Sequence, residues 1–443
     1  MSCLSRLTPY FPLRHLLLSL LGSLAIHAFV IHHASGSPDD PQIRKHARYM
    51  GTGSCSASTC HGSVNPIKGS RVLQNEYHTW LKHDRHSKAY SVLMTHDARK
   101  IAEHLKLGDP TNEPQCLECH STFVPDRARQ GDRYTIEDGV SCESCHGAAE
   151  GWLASHSEAG ATHAGNIANG LTDTVSLESR ARLCLSCHYG DQTKRVTHKL
   201  YGAGHPRLRF ELDTYGILQP KHWIVDNDYK TRKGDYIPIR AWFMGQAAHA
   251  DSLLLMLRNP HDKSGSSFPE LSLFDCFSCH HSLSSSQWKT RDYAGHPGTI
   301  QLNLAPLRLI QGALRVIDLE LSTEIGRLSD SLNTSYAIDG ATQTISELTS
   351  LVGTRLRSRI ANIPDDPTTC MRIVQGLSQL ALQGPSLKFE VAEQVGMGIQ
   401  AALATSPILA QKHGAQLSLL FKTIESADSF EPQRFTEALR RLS

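Results

Sequence analysis

Four segments of the chain read Cys-x-x-Cys-His: Cys116 to His120, Cys142 to His146, Cys184 to His188 and Cys276 to His280. A fifth, Cys55 to His61, ends the same way with four residues between its cysteines. Together they use Cys55, Cys60, Cys116, Cys119, Cys142, Cys145, Cys184, Cys187, Cys276 and Cys279, ten of the 12 Cys. Two thiols one helical turn apart can each add to a vinyl group on one edge of a porphyrin. The next residue then aims an imidazole nitrogen at the iron. The pattern implies five covalently attached haems of the c type per chain, with His61, His120, His146, His188 and His280 as proximal ligands. In the first motif the longer gap can loop out its extra residues and leave both thioethers in place.

Disulfides and zinc are the competing readings. A disulfide needs no His after its second Cys, and 25 His in 443 residues make five such trailing imidazoles far too many for chance. Zinc sites built from Cys-x-x-Cys pairs take ligands in fours, and five pairs do not divide that way.

Each iron has a second axial position. The chain has only 7 Met but is rich in His between the motifs, which points to bis-His ligation and correspondingly low potentials. The distal candidates are His86, His156, His198, His205 and His222. His198 and His205 are seven apart, so on a helix they would share a face and could serve neighbouring rings. Pro206 holds the backbone at His205 extended. His249, His281 and His296 are less well placed, since an imidazole directly after a proximal ligand, as in His281, cannot reach the same iron.

The elements that carry these residues should be short. Between 55 and 279, Gly, Pro and polar runs interrupt every helical pattern, as at Gly108-Asp109-Pro110 and Gly204-His205-Pro206. Aromatic residues make up 7% of the chain, so bound aromatic cofactors would supply the missing apolar mass. From about residue 300 the texture changes. Leu307, Ile310, Leu314, Ile317 and Leu321 fall at helical spacing, as do Ile345, Leu348, Val352 and Leu356. The expected fold is mainly α, with short helices and long loops wrapped around haems over 37–299 and an all-α helical domain over 300–443.

Residues 1–36 read as an export signal or N-terminal anchor. Arg6, Arg14 and His15 precede a mostly apolar run from Leu16 to Ile31, and Ala34-Ser35-Gly36 suits signal peptidase. The expected location is the periplasm, with the N-terminal segment cleaved or kept as an anchor. The net charge of +2 argues against nucleic acid as a partner. Cleavage removes Arg6 and Arg14, and each ferric haem with two ionised propionates adds about one negative charge. The loaded protein is then acidic, which favours redox partners with a basic docking face.

Asp84-Arg85-His86-Ser87-Lys88-Ala89-Tyr90, then Gly139-Val140-Ser141-Cys142-Glu143-Ser144-Cys145-His146-Gly147, Trp152-Leu153 and His156, resemble the cytochrome c-554 family over roughly 50–210. The resemblance implies closely stacked haem pairs, and His86 and His156 as distal ligands to haems other than their sequence neighbours. It also implies that the haem on Cys116, Cys119 and His120 lacks a protein distal ligand. The stretched first motif, the fifth motif and the helical tail depart from the family pattern. The leading functional expectation is electron transfer. The alternative is an oxidoreductase acting on a small nitrogen species (nitric oxide, hydroxylamine or nitrite) at an open haem. No Cys-x-x-Cys-Lys is present to mark such a catalytic haem. A third reading has the tail docking the chain into a larger respiratory complex.

Overall fold

The computed structural model describes residues 46–69, 72–260, 269–280, 300–336, 341–383 and 387–442. The N-terminal segment 1–36, His281 and His296 lie outside the described residues. Among those described, the regular elements are helices, and β structure is limited to two isolated bridges, Tyr49 with Gln130 and Phe274 with Leu302. The mainly α expectation holds.

The first half is built from short helices, each started or stopped by local chemistry. Helices α1 (Glu76–His83), α2 (His96–Leu105) and α3 (Pro114–His120) are followed by α4 (Cys142–His146), α5 (Leu177–His188), α6 (His198–Gly202) and α7 (Leu212–Leu218). Thr95, Ser176 and Thr197 cap α2, α5 and α6 by accepting from the backbone N–H three residues on. Pro114 opens α3, where its missing N–H costs nothing. Lys106 takes a left-handed φ of 58° and ends α2. In each of α3, α4 and α5 the last residue is the histidine of a Cys-x-x-Cys-His motif.

The second half packs as a helical bundle whose core begins earlier than residue 300. Helix α8 (Pro238–Arg258) buries Ile239, Trp242, Phe243, Leu253 and Leu254 in one apolar core shared with residues from 302 to 442. This long helix has no proline after Pro238, and its apolar residues occupy more than one face, which suits an element packed on several sides. Around it lie α9 (Ala305–Leu314), α10 (Leu319–Ser335), α11 (Ala341–Leu351), α12 (Pro367–Gln383), α13 (Phe389–Thr405), α14 (Pro407–Lys422) and α15 (Pro432–Arg440).

The apolar row from Leu307 to Leu321 does not lie on one helix. The chain breaks after Leu314, and Asp318 caps α10 by accepting from Leu321 N at 3.1 Å. Helix α11 continues through a π-helical turn, Val352–Leu356, so Ile345, Leu348, Val352 and Leu356 all reach the core. At Gly376 the backbones of α12 and α9 approach so closely that a Cβ would stand 2.4 Å from the Gly312 carbonyl oxygen.

The halves are joined where α5 meets α8. Arg182 bonds Glu178 at 3.1 Å and Asp251 at 2.9 Å, and Arg357 reaches Glu178 at 3.0 Å and also pairs with Asp251. A shared set of charges therefore ties the helix that ends in Cys184, Cys187 and His188 to the helical bundle.

Candidate metal centres

Each of the five motif histidines faces one other histidine. Ring centroids are 6.2 Å apart for His61 and His156, 6.4 Å for His120 and His205, and 6.2 Å for His146 and His222. They are 6.0 Å apart for His188 and His86, and 6.0 Å for His280 and His198. These separations are too long for direct stacking contact between imidazoles. Two imidazoles bonded from opposite sides to one metal, with N–metal bonds of roughly 2.0–2.1 Å, put their centroids roughly 6 Å apart. The residues present therefore fit a metal held between each pair.

Second partners orient these rings. His61 donates from Nδ1 to Glu76 at 3.0 Å, and His86 does so to Asp84 at 2.8 Å. His120, His156 and His205 donate to the carbonyls of Ala89 at 3.0 Å, Leu153 at 2.6 Å and Pro206 at 2.7 Å. With the Nδ1 proton so used, Nε2 keeps its lone pair for a metal, the usual second-shell arrangement of ligating histidines. The hydrogen bonds that they donate to Glu76 and Asp84 raise the basicity of His61 and His86. Burial holds His146 and His188 neutral, with pKa values down at about 4.

Four of the pairs line one cavity of ≈ 2540 Å³ together with their cysteines. Ordinary ligand pockets measure about 300–1,000 Å³, so this space suits several large groups rather than one. Within it the motifs meet in a definite order. Cys55 and Cys142 lie within side-chain interaction range of one another, as do Cys119 and Cys187. Cys145 lies within electrostatic reach of Cys184 and Cys187. Neighbours in space therefore run first, third, fourth, second.

The stretched first motif loops its extra residues outward. Ala57 to Cys60 are exposed, and His61 N donates to Cys55 O at 3.1 Å, closing the loop beneath them. In the third motif Glu143 points inward and is 2% exposed. Gly139 stands at φ 70° where a Cβ would be 2.8 Å from His86 O, letting Val140 N donate to that carbonyl at 3.0 Å. The Gly-Val-Ser-Cys segment thereby grips the backbone that carries His86.

The resemblance implied no protein distal ligand at the site of Cys116, Cys119 and His120, yet His205 stands opposite His120 there, with ring centroids 6.4 Å apart. Its loop is brought there by contacts between α2 and α6: Leu105 packs with Leu200 and Ala203, and His104 donates to Ala203 O at 3.1 Å. His249 is half-buried beside Tyr189, with ring centroids 4.1 Å apart, and faces none of the motif histidines. Sequence reasoning passed over Glu76 and Glu143. Glu76 is fifteen residues from His61, with no local signal to link them. The described cysteines are free of disulfides. Among the described residues no group of three or more His, Cys, Asp or Glu is placed to hold a metal by protein ligands alone.

A helical scaffold that presents Cys-Cys-His motifs to a shared cavity, each histidine opposed by another, defines a c-type cytochrome. Residues 42–147 match the family model described as cytochrome c554 and c-prime. Over these residues the chain is similar to the cytochrome c-554 family, which implies the haem c and electron-transfer chemistry of c-type cytochromes, while Trp152, Leu153 and His156 lie beyond the match. No curated protein and no solved structure matches the chain.

Proposed function

We propose that this chain is an exported, periplasmic electron-transfer protein carrying five haems c, each with two axial histidines. The proximal ligands are His61, His120, His146, His188 and His280. Their respective partners are His156, His205, His222, His86 and His198. The observation that carries the reading is the set of five opposed pairs at 6.0–6.4 Å. When bound, haem c supplies an iron that cycles between two oxidation states. The chain's own part is to attach it, close both axial positions and set its potential through ligand basicity and burial. The contacts among the cysteines of the first, third, fourth and second sites support an electron path in that order. The redox partners proposed from net charge are proteins with a basic docking face. The pairing of His205 with His120 weighs against the reading in which a small nitrogen species reacts at an open haem.

Intact mass of the exported protein tests the count. Five haems should be attached, and a mass corresponding to four would show that the stretched motif at Cys55 is not used. His86→Ala should leave attachment intact and convert one low-spin signal in the electron paramagnetic resonance spectrum to high spin. An unchanged low-spin count would remove His86 as a ligand.

Glu76→Gln tests the carboxylate that His61 Nδ1 donates to. Losing the carboxylate beneath His61 weakens that imidazole as a donor, so the ferric state is less favoured. One midpoint potential should move positive in a redox titration followed by electron paramagnetic resonance, with the other four stationary. No movement would mean that Glu76 does not act through His61.

A further inference from the structure

We propose that the fifth site is the protein's electron port, where a protein-sized redox partner docks on the face around His198 and Cys276–His280. The proposal rests on the five-haem reading above and adds where electrons cross the surface. Its first support is separation: the cavity lined by the other four pairs is not lined by His198, Cys276, Cys279 or His280. The second is exposure. In the other four pairs every imidazole is partly buried, whereas His198, His280, Cys276 and Cys279 are all exposed. Electron transfer between proteins falls steeply with distance, so the site nearest the surface exchanges first.

The fifth site is also tied to the enclosed series. His198 opens α6, and His205, just beyond the end of that helix, faces His120 of the second site. Tyr201 lies between them in the chain, its ring centroid 6.5 Å from that of His205 and its hydroxyl within electrostatic reach of Cys276. One short helix and the loop that follows it thus supply a facing histidine to each of two sites. The order becomes first, third, fourth, second, fifth, with the fifth at one end.

Its mounting is rigid. The motif leaves the connection between α8 and α9, both in the bundle core. Asp275 N donates to Gln301 O at 2.8 Å, Asn303 N donates to Leu273 O at 2.9 Å, and Asp275 pairs with Lys388 of the bundle. His198 is held against the same segment by its N–H, which donates to Glu270 Oε1 at 2.7 Å. The helical half therefore holds the port in place.

The test is stopped-flow electron exchange of the full-length loaded protein with two probes, a basic and an acidic soluble monohaem cytochrome. The double variant Cys276→Ala, Cys279→Ala should carry four haems. It should exchange with the faster probe at least tenfold more slowly, while dithionite still reduces all four. Lys199→Glu, at an exposed position beside His198, should speed the basic probe and slow the acidic one severalfold. It serves as the second measurement if the double variant fails to mature. Wild-type protein with fewer than five haems by mass would overturn the five-haem reading itself. Five haems in the wild type, with exchange unchanged in the double variant or in Lys199→Glu, would overturn the port alone.

Discussion

Reduced wild-type protein should bind no carbon monoxide at any iron, and His205→Ala should create a binding capacity of about one equivalent per chain. The expectation follows from the second site. His120 is held through Nδ1 by the Ala89 carbonyl at 3.0 Å, and His205 by the Pro206 carbonyl at 2.7 Å, so neither ring is free to swing aside. The His205 loop is in turn fixed by the apolar contact of Leu105, Leu200 and Ala203. An exogenous ligand would have to displace an anchored imidazole. In His205→Ala that imidazole is gone while His120, Cys116 and Cys119 are untouched, so the haem stays attached with one axial position open. Difference spectra during a carbon monoxide titration read both quantities. One equivalent bound by the wild type would restore the open-iron reading and, with it, reaction with a small nitrogen species.

Glu143→Ala should destabilise the protein by about 3 kcal/mol or more, and Glu143→Gln by less. The Glu143 carboxylate, 2% exposed, accepts from Met50 N at 2.8 Å, Gly51 N at 2.7 Å and Ala149 N at 2.8 Å. Each buried N–H left without an acceptor costs about 1–3 kcal/mol, and Ala strands three of them. Gln keeps one oxygen acceptor and loses the rest. The three amides belong to segments on either side of α4, so the loss loosens the strap over the third motif as well. Thermal unfolding of the loaded variants measures the effect. A Glu143→Ala protein as stable as the wild type would mean that these amides find water or other acceptors, and that the carboxylate is not the clamp.

The chemistry of this chain was legible in one dimension because it is local. Two thioethers and a proximal imidazole must come from one turn of chain, so Cys116, Cys119 and His120 announce their site by spacing alone. The same holds for the motifs ending at His61, His146, His188 and His280. Helical content was legible as well, since Leu307, Ile310 and Leu314 carry their period in sequence. Distal histidines are different. His86, His156, His198, His205 and His222 could be nominated by type and abundance, but an axial partner needs no fixed separation from its iron. Partnership was therefore decided by packing: α2 against α6 sets His205 over His120, and the turn at Gly139 fixes the backbone of His86. The imidazole facing His120 was hidden for that reason, since His205 lies 85 residues downstream on a loop that tertiary contacts deliver.

The boundary of the helical half was hidden by a similar mechanism. Helix α8 precedes the fifth motif in sequence, yet its Trp242 and Phe243 bury in the core formed by residues after 300, because apolar area is removed from water wherever complementary surface exists. The carboxylates of Glu76 under His61 and Glu143 under the strap act through hydrogen bonds between distant residues, which carry no pattern in sequence. By itself the sequence determined how many motifs there are and which residues they offer for haem attachment, since covalent geometry is short-ranged. Tertiary structure decided which histidine faces which, the order of the sites and the exposure of the fifth, since these depend on how distant segments pack.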